Sequence, residues 1–140
     1  MSLRRVLAAV TGFLALGAFA SDSGGFAPTP SAEAATNRGA QAVGLLADLI
    51  AGRDHAIVAT LDTQMATTLT SARLAKGLAS YEAQFGSYLG HGAPTVVAVD
   101  GETVVRIPLR MSRLPGEFRL AFGHDGRVSG LYLLRTGVPL

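Results

Sequence analysis

The stretch that decides the fold runs from Thr95 to Leu134 and reads TVVAVDGETVVRIPLRMSRLPGEFRLAFGHDGRVSGLYLL. Within it, apolar residues alternate with polar ones, which is typical of strands that bury one face. Turn residues interrupt the alternation at Asp100-Gly101, Leu114-Pro115-Gly116 and His124-Asp125-Gly126. The stretch therefore predicts a four-stranded antiparallel meander, with strands at 95–99, 103–113, 117–122 and 127–134.

The period-two alternation assigns the side chains of this meander to two faces. Arg106 and Arg110 share the polar face of the second strand, and Arg119 joins them if that strand pairs with the third. Pro108 lacks an N–H, so we expect either a bulge there or an unpaired strand side. The fourth strand is apolar on both faces, which favours a central or doubly covered position. The predicted inner face consists of Val105, Ile107, Leu109, Met111, Phe118, Leu120 and Phe122.

Helical periodicity precedes the strands. The first helix is predicted over 38–51, with Asn37 as its N-cap, and the second over 55–62, with Asp54 as its N-cap. The third is predicted from Thr70 or Ser71 to Phe85. Because these helices come before every strand, the order indicates an α+β domain with the helices on one sheet face.

The sequence supports three further predictions about the helical region and the connection that follows it. Residues 65–69 contain few helix formers and are predicted to form an irregular turn. Residues 87–94 are Gly-rich and are predicted to connect the third helix to the sheet. Gly77 lies inside the third helix at a cost of about 1 kcal/mol relative to Ala, so we expect close packing around it.

The N-terminal residues have the layout of a secretory signal. Arg4 and Arg5 precede an apolar run over 6–19, and Ala18-Phe19-Ala20 supplies the small residues that signal peptidase accepts. This pattern predicts a signal peptide over 1–20 that is cleaved before Ser21, and therefore a secreted or extracytoplasmic product with no permanent membrane span. Residues 21–36 are rich in Ser, Gly, Pro and Ala and are predicted to form a disordered linker. The folded domain is then 37–135, followed by a tail over 136–140.

Composition excludes several functional classes. The 140-residue chain has 12 basic and 10 acidic residues, and removing Arg4 and Arg5 leaves 10 of each. A balanced charge gives no support to nucleic-acid binding. The chain has no Cys, which excludes disulfides and thiolate metal ligands. Its three His residues lack the spacing of metal ligands, so neither a metal site nor a cofactor is predicted.

The arrangement resembles the nuclear transport factor 2-like, or cystatin-like, cone, in which helices pack on a strongly bent antiparallel sheet. Within that fold, the chain is similar to extracytoplasmic bacterial domains of unknown function that occur alone or ahead of secreted hydrolases. The resemblance covers residues 38–134. It departs from the family in the third helix, where a frequent Trp is absent and Tyr81 or Leu78 takes its place. It is carried by residues 46–54, Leu69-Thr70, Gln84-Phe85-Gly86, 118–122 and 125–131.

Candidate sites fall into two groups. Relatives with the cone fold include isomerases and dehydratases, so the resemblance makes His55, His91 and Asp62 the weak candidates for a catalytic base, and no catalytic set is predicted. Arg106, Arg110 and Arg119 form a candidate binding surface for an anionic ligand or an acidic partner. The alternative for these arginines is a solvated sheet face balanced by nearby Glu side chains.

Three functional hypotheses follow from these patterns. The first is a secreted, non-catalytic binding or interaction domain that forms a homodimer through the open face of its sheet or binds an extracytoplasmic protein. The second is a pocket enzyme that acts on a small apolar molecule. A third alternative is a role that serves a neighbouring hydrolase. An enclosed apolar cavity that contains a candidate base would favour the enzyme.

Overall fold

The computed structural model describes residues 32–140, which form four helices followed by five strands. The predicted α+β class, with helices ahead of an antiparallel sheet, is confirmed. Residues 1–31 lie outside the described part, and with them the predicted signal peptide and most of the predicted linker. The helices are α1 (Ala32–Ile50), α2 (Asp54–Val58), α3 (Thr63–Thr68) and α4 (Ser71–Phe85). The strands are β1 (Tyr88–His91), β2 (Thr95–Val99), β3 (Glu102–Met111), β4 (Gly116–Phe122) and β5 (Val128–Arg135).

The helical half differs from the prediction at its boundaries. α1 begins at Ala32 and includes residues 32–36 of the predicted linker, so Asn37 lies inside the helix and not at its N-cap. Residues 32–36 are mostly Ala and Glu, which favour a helix, so the helix extends N-terminal to the apolar residues that face the core. α2 ends at Val58, and Arg53 occupies its N-cap position without a capping side chain, so the capping role predicted for Asp54 was wrong.

The sequence analysis did not predict two elements: α3, which follows a local N-cap, and β1, which depends on a distant strand partner. Residues 63–68 form α3, and not the predicted irregular turn, because Asp62 Oδ1 accepts a hydrogen bond from the Met65 N–H at 2.7 Å and caps the helix. Residues 88–91 form β1, which pairs with Leu109, Arg110 and Met111 of β3. This pairing satisfies backbone N–H and C=O groups of a Gly-rich segment that was predicted to be a loop.

The sheet is built around β3. β4 pairs along one edge of β3, and both β1 and β2 pair along the other edge, one after the other. Pro108 lies where the edge passes from β1 to β2, and its carbonyl accepts a hydrogen bond from Gly92 at 2.9 Å. Since the N and O of one strand residue face the same side, the missing N–H of Pro108 falls in this gap. Pro108 has no register partner in β1 or β2, so the missing N–H is tolerated there, as the second of the two expectations requires.

The helices pack on the predicted inner face of the sheet. All seven apolar side chains of that face are buried, and they form one core with α1, α2, α3 and α4. α1 contributes Ala42, Leu45, Leu46 and Leu49. Helical spacing alone would also place Ala40 and Ala47 on the apolar side of this helix, but both are exposed. The core therefore lies between the helical layer and β3–β4. It contains the apolar faces that strand alternation and helical spacing predict.

β5 is the last strand of the sheet and not a central one. Residues 60–62 cover its beginning, because the Val128 N–H donates to Thr60 O at 2.8 Å and the Asp62 N–H donates to Val128 O at 2.8 Å. On the face away from the helices, the Tyr132 ring lies over Gly130, where a Cβ would meet the ring atoms. An aromatic ring over a strand glycine shields the backbone that the missing side chain would expose.

Gly77 is not closely packed, contrary to the prediction. It is exposed on α4, and a Cβ at this position would meet no atom within 4 Å. Gly44 on α1 has the same open surroundings. The helical cost of Gly77 is therefore not offset by close contact in the described part of the chain.

Tyr81 connects α4 to the far end of the sheet. Its hydroxyl donates to the carbonyl of Leu134 on β5 at 2.6 Å. The hydroxyl lies against Gly116, and a Cβ on Gly116 would overlap it. Gly116 is buried between Leu109 of β3 and Arg135 of β5. The absence of a side chain at Gly116 is therefore what lets Tyr81 reach β5.

We predict that Gly116→Ala lowers the free energy of unfolding by about 1–3 kcal/mol, because the new methyl group displaces the Tyr81 hydroxyl. Tyr81→Phe alone should cost about 1 kcal/mol for the lost hydrogen bond. The double variant should lose less than the sum, since Phe leaves space for the methyl group. Urea denaturation of the four proteins measures this coupling, and strictly additive losses would contradict the contact.

Candidate functional site

The weak catalytic candidates do not come together. His55 and His91 are exposed, and His91 Nδ1 lies 2.8 Å from the carbonyl oxygen of Gly92. Asp62 acts as the N-cap of α3, as described above. No group of three or more His, Asp or Glu side chains in residues 32–140 could hold a metal ion. None of the helices described is both long and apolar enough to cross a membrane.

The three arginines of the candidate surface lie on the sheet face away from the helices, called here the outer face. Arg106 and Arg119 are direct partners across β3 and β4, and Arg110 pairs with Gly90 of β1. Arg110 is exposed, but Arg119 is only 2% exposed. Arg119 therefore does not contribute to an open surface, since other groups cover it. The sequence correctly placed it on this face but could not show the cover.

Glu117 holds both arginines on the outer face. Its Oε1 accepts hydrogen bonds from Arg106 Nε at 3.3 Å and Arg106 Nη2 at 3.0 Å. Its Oε2 accepts from Arg119 Nε at 2.6 Å and lies 2.5 Å from Arg119 Nη2. One carboxylate thus compensates two guanidinium groups that face each other across the strands. Without it, like charges directly opposite would destabilise the pairing of β3 with β4.

The remaining donors of Arg119 bind the end of the chain. Residues 136–140, called here the C-terminal segment, turn back after β5 through Gly137, which has φ of +90°. Arg119 Nη2 donates to the carbonyl of Val138 at 2.7 Å, and Arg119 Nη1 donates to that of Pro139 at 3.0 Å. The predicted tail is therefore part of the outer face, and it buries the charge that the sequence assigned to the surface.

Arg110 is the arginine that remains open. It lies near Tyr88 of β1, and its side chain extends over Gly90. Burial raises the pKa of the Tyr88 phenol, and the positive charge of Arg110 partly opposes this rise. In the described chain, no hydrogen bond or ion pair holds the Arg110 guanidinium. An acidic group of a partner can therefore reach it.

A groove lies on the helical side, between α4 and β5. This α4–β5 groove is open to solvent and has a volume of about 400 Å³. Its floor is apolar and is formed by Leu49, Leu69, Leu74, Phe85, Leu131 and Leu133. Its rim contains Arg73, Ser80 and Gln84, which can donate hydrogen bonds. An apolar floor with a few polar groups at the rim is the usual composition of a small-molecule site.

Tyr81 lines the same groove and stacks on Phe85, with ring centroids 4.2 Å apart. Burial raises the pKa of the Tyr81 phenol, while a backbone hydrogen bond at Glu117 lowers it and the Glu117 charge adds to the rise. The phenol stays protonated at neutral pH, and its hydroxyl is already bonded to Leu134. Tyr81 therefore shapes the wall of the groove without offering a free donor to a ligand.

A second groove, between α1 and β2, has a different character. Its volume is about 650 Å³, and it is lined mostly by small and apolar residues. Thr36 is the polar residue of its lining, and no charged side chain is part of it. Such a surface offers little to orient a ligand. The α4–β5 groove is therefore the stronger candidate for a specific site.

The sequence alone did not indicate which residues line the α4–β5 groove. Leu74, Leu78, Tyr81 and Phe85 recur at steps of four, three and four residues, which indicates one apolar helix face. The spacing does not show where the sheet leaves that face uncovered. The exposed Gly77 on the same helix is a signal that could have been used, since a small residue there leaves the groove open. Neither His55, His91 nor Asp62 lines the groove.

Comparison of the chain with protein-family models, curated proteins and solved structures found no match.

We predict that Glu117→Gln lowers the free energy of unfolding by about 3–5 kcal/mol, because Arg119 keeps its buried charge and loses its counter-ion. Replacing the pair together, as Glu117→Gln with Arg119→Met, should recover much of this loss. The matched control is Asp48→Asn, which removes the carboxylate of the Arg53–Asp48 pair, where the Arg53 side chain is 56% exposed. That exposed pair should contribute at most about 1 kcal/mol.

Chemical denaturation of these variants measures the difference. Equal losses for Glu117→Gln and Asp48→Asn would show that the outer-face ion pair is no more important than a surface contact.

Proposed function

We propose that the chain is a secreted, non-catalytic binding domain of the nuclear transport factor 2-like kind, which holds a small amphipathic molecule in its α4–β5 groove. The observation that carries this proposal is the groove itself, whose buried and half-buried lining residues are Leu, Tyr and Phe and whose exposed ones include Arg73, Ser80 and Gln84. The arrangement of helices on one face of an antiparallel sheet supports the resemblance to the cone fold. Export through a signal peptide over 1–20 is part of the same proposal and rests on the sequence pattern.

Arg73 gives the proposed ligand its polarity. Arg73 is exposed and lines the groove, and its guanidinium forms no ion pair or side-chain hydrogen bond with any described residue. A carboxylate or another anionic head group would find a charge-assisted donor there, while its apolar body covers the leucine floor. Burial of about 100 Å² of apolar surface contributes about 2.5 kcal/mol before the cost of ordering the ligand. The proposal therefore favours an apolar molecule with one acidic end.

The enzyme alternative receives no support from the groove. A general base must come within hydrogen-bond reach of the reacting proton, and the groove lining contains no His, Asp or Glu. Dimerisation through the outer face, or binding of an extracytoplasmic protein there, remains a prediction, and the exposed Arg110 is the charge available for it. A role beside a neighbouring hydrolase also remains a prediction.

The groove proposal is tested with anilinonaphthalene sulfonate, which combines an apolar ring system with one anionic group and fluoresces when its surroundings are dry. We expect saturable binding of one probe per chain. Gly77→Leu should weaken this binding by about tenfold, because the new side chain stands in the groove, and that loss corresponds to about 1.4 kcal/mol. Arg73→Gln should weaken it less, since it removes the charge and keeps the shape.

The matched control is Gly44→Leu, which places the same side chain on α1 at another exposed helical glycine with nothing within 4 Å. Both variants should keep or raise the stability of the protein, because each removes a glycine from a helix. Equal probe affinity in the two variants, or no saturable binding in the wild type, would contradict the proposal.

A further inference from the structure

The free edge of β5, the last strand of the sheet, is covered only at its beginning. There, residues 60–62 form a parallel bridge with Val128, whose N–H and carbonyl bond to Thr60 and Asp62. Asp62 then caps α3, and the chain leaves the strand. The edge thus accepts an additional strand from the chain itself, but only for one bridge.

Leu131 and Leu133 carry the backbone groups that this short bridge leaves open. Backbone groups of successive strand residues face opposite edges, and Pro108 directs its carbonyl to the β1 side of β3. Carried through the registers of β3 on β4 and β4 on β5, this alternation turns Tyr132 toward β4 and the two leucines outward. Within residues 32–140, no hydrogen bond is formed with the outward groups of Leu131 and Leu133.

The open edge borders the α4–β5 groove. Leu131 and Leu133 are half-buried and line the groove, and Gly77 faces it from α4 without a side chain that would obstruct it. An apolar groove between a helix and an open strand edge is suited to an added strand. Backbone hydrogen bonds to the edge then provide affinity, and the groove receives alternate side chains of the new strand.

Two unpaired cations lie along this edge. Arg73 lies in the first turn of α4, and Arg135 is the exposed last residue of β5. Neither forms an ion pair with a described residue. Tyr81, which bonds to Leu134 beside Arg135, lies about 12 Å along α4 from Arg73 at 1.5 Å per residue. In a strand, about 12 Å corresponds to carboxylates about four residues apart.

We infer that the α4–β5 groove binds an extended acidic peptide, which adds a strand to β5 and places its carboxylates at Arg73 and Arg135. The inference rests on the proposed function and names the chemical class of its ligand. An apolar side chain between the two acidic ones covers the leucine floor. A second copy of this chain fits the edge less well, because it would bring further arginines to an edge that already carries two.

The probe is the fluorescein-labelled, amidated peptide Glu-Thr-Leu-Thr-Glu, whose two Glu and one Leu side chains share one face of a strand. We expect saturable binding of one peptide per chain by fluorescence anisotropy, with displacement of anilinonaphthalene sulfonate from the groove. A matched peptide with Lys in place of both Glu should not bind. Arg135→Gln should weaken peptide binding about threefold, as for an exposed ion pair. It should leave dye binding unchanged, because Arg135 does not line the groove.

Two N-methylated forms of the peptide test whether it binds as a strand. One form carries the methyl groups on the two Thr residues, and the other carries them on the Leu and the second Glu. Amides of alternate residues face opposite edges of a strand, so only one form loses the N–H groups that face β5. That form should bind about tenfold more weakly, because hydrogen bonds are lost, and the other should keep its affinity.

Amide exchange measured by NMR reports the same contact from the protein. With the peptide bound, the Leu131 and Leu133 N–H groups should exchange about tenfold more slowly. The matched control is the Tyr132 N–H, which faces β4 and should not change.

Three results would overturn the inference. The first is equal affinity of the two methylated forms, and the second is unchanged exchange at Leu131 and Leu133. The third is a dimer, detected by analytical ultracentrifugation, that excludes the peptide and so places a second copy at the edge. Dye binding without peptide binding would also overturn it but would leave the groove proposal intact, whereas absence of saturable dye binding contradicts the groove proposal itself.

Discussion

The register of β3 on β4 is the constraint on which the rest of the structure depends. Pairing Ile107 with Phe118 and Val105 with Leu120 places the apolar side chains on the inner face. The same register brings Arg106 opposite Arg119, and a slip of one residue would reverse both faces. The core and the charged outer face are therefore two consequences of one alignment. Glu117 stabilises this alignment. It lies on the same face of β4, two residues before Arg119, and one of its carboxylate oxygens binds each arginine.

The two faces of the sheet have different roles. The inner face provides the core and, where α4 leaves it uncovered beside β5, the floor of the α4–β5 groove. The outer face is organised by polar contacts, and its buried charge determines where the end of the chain lies. Tyr81 joins the two sides of the domain, because it lines the groove and donates to β5 at the Leu134 carbonyl. A ligand in the groove would therefore contact the strand that leads into the C-terminal segment.

The sequence predicted those parts of the fold that repeat along the chain. Alternation over 103–122 identified the inner face, and helical spacing identified the apolar side of α4. It did not reveal β1, because Tyr-Leu-Gly-His has no alternating pattern and owes its strand geometry to a partner that lies about twenty residues later. It did not reveal the burial of Arg119 either. Alternation assigns a side chain to a face, but coverage of that face depends on a turn at Gly137 that brings residues 138–140 back.

The structure makes Arg119 a buried, fixed cation that organises the outer face. Nitrogen-15 NMR of the arginine side chains tests it directly, because a fixed guanidinium protects its Nε–H from exchange with water. At neutral pH, the Arg119 Nε–H should exchange with water about tenfold more slowly, or slower still, than that of the exposed Arg110. Deleting residues 138–140 should reduce this difference. Equal exchange rates for Arg119 and Arg110 in the intact chain would show that the Arg119 guanidinium is not held in place.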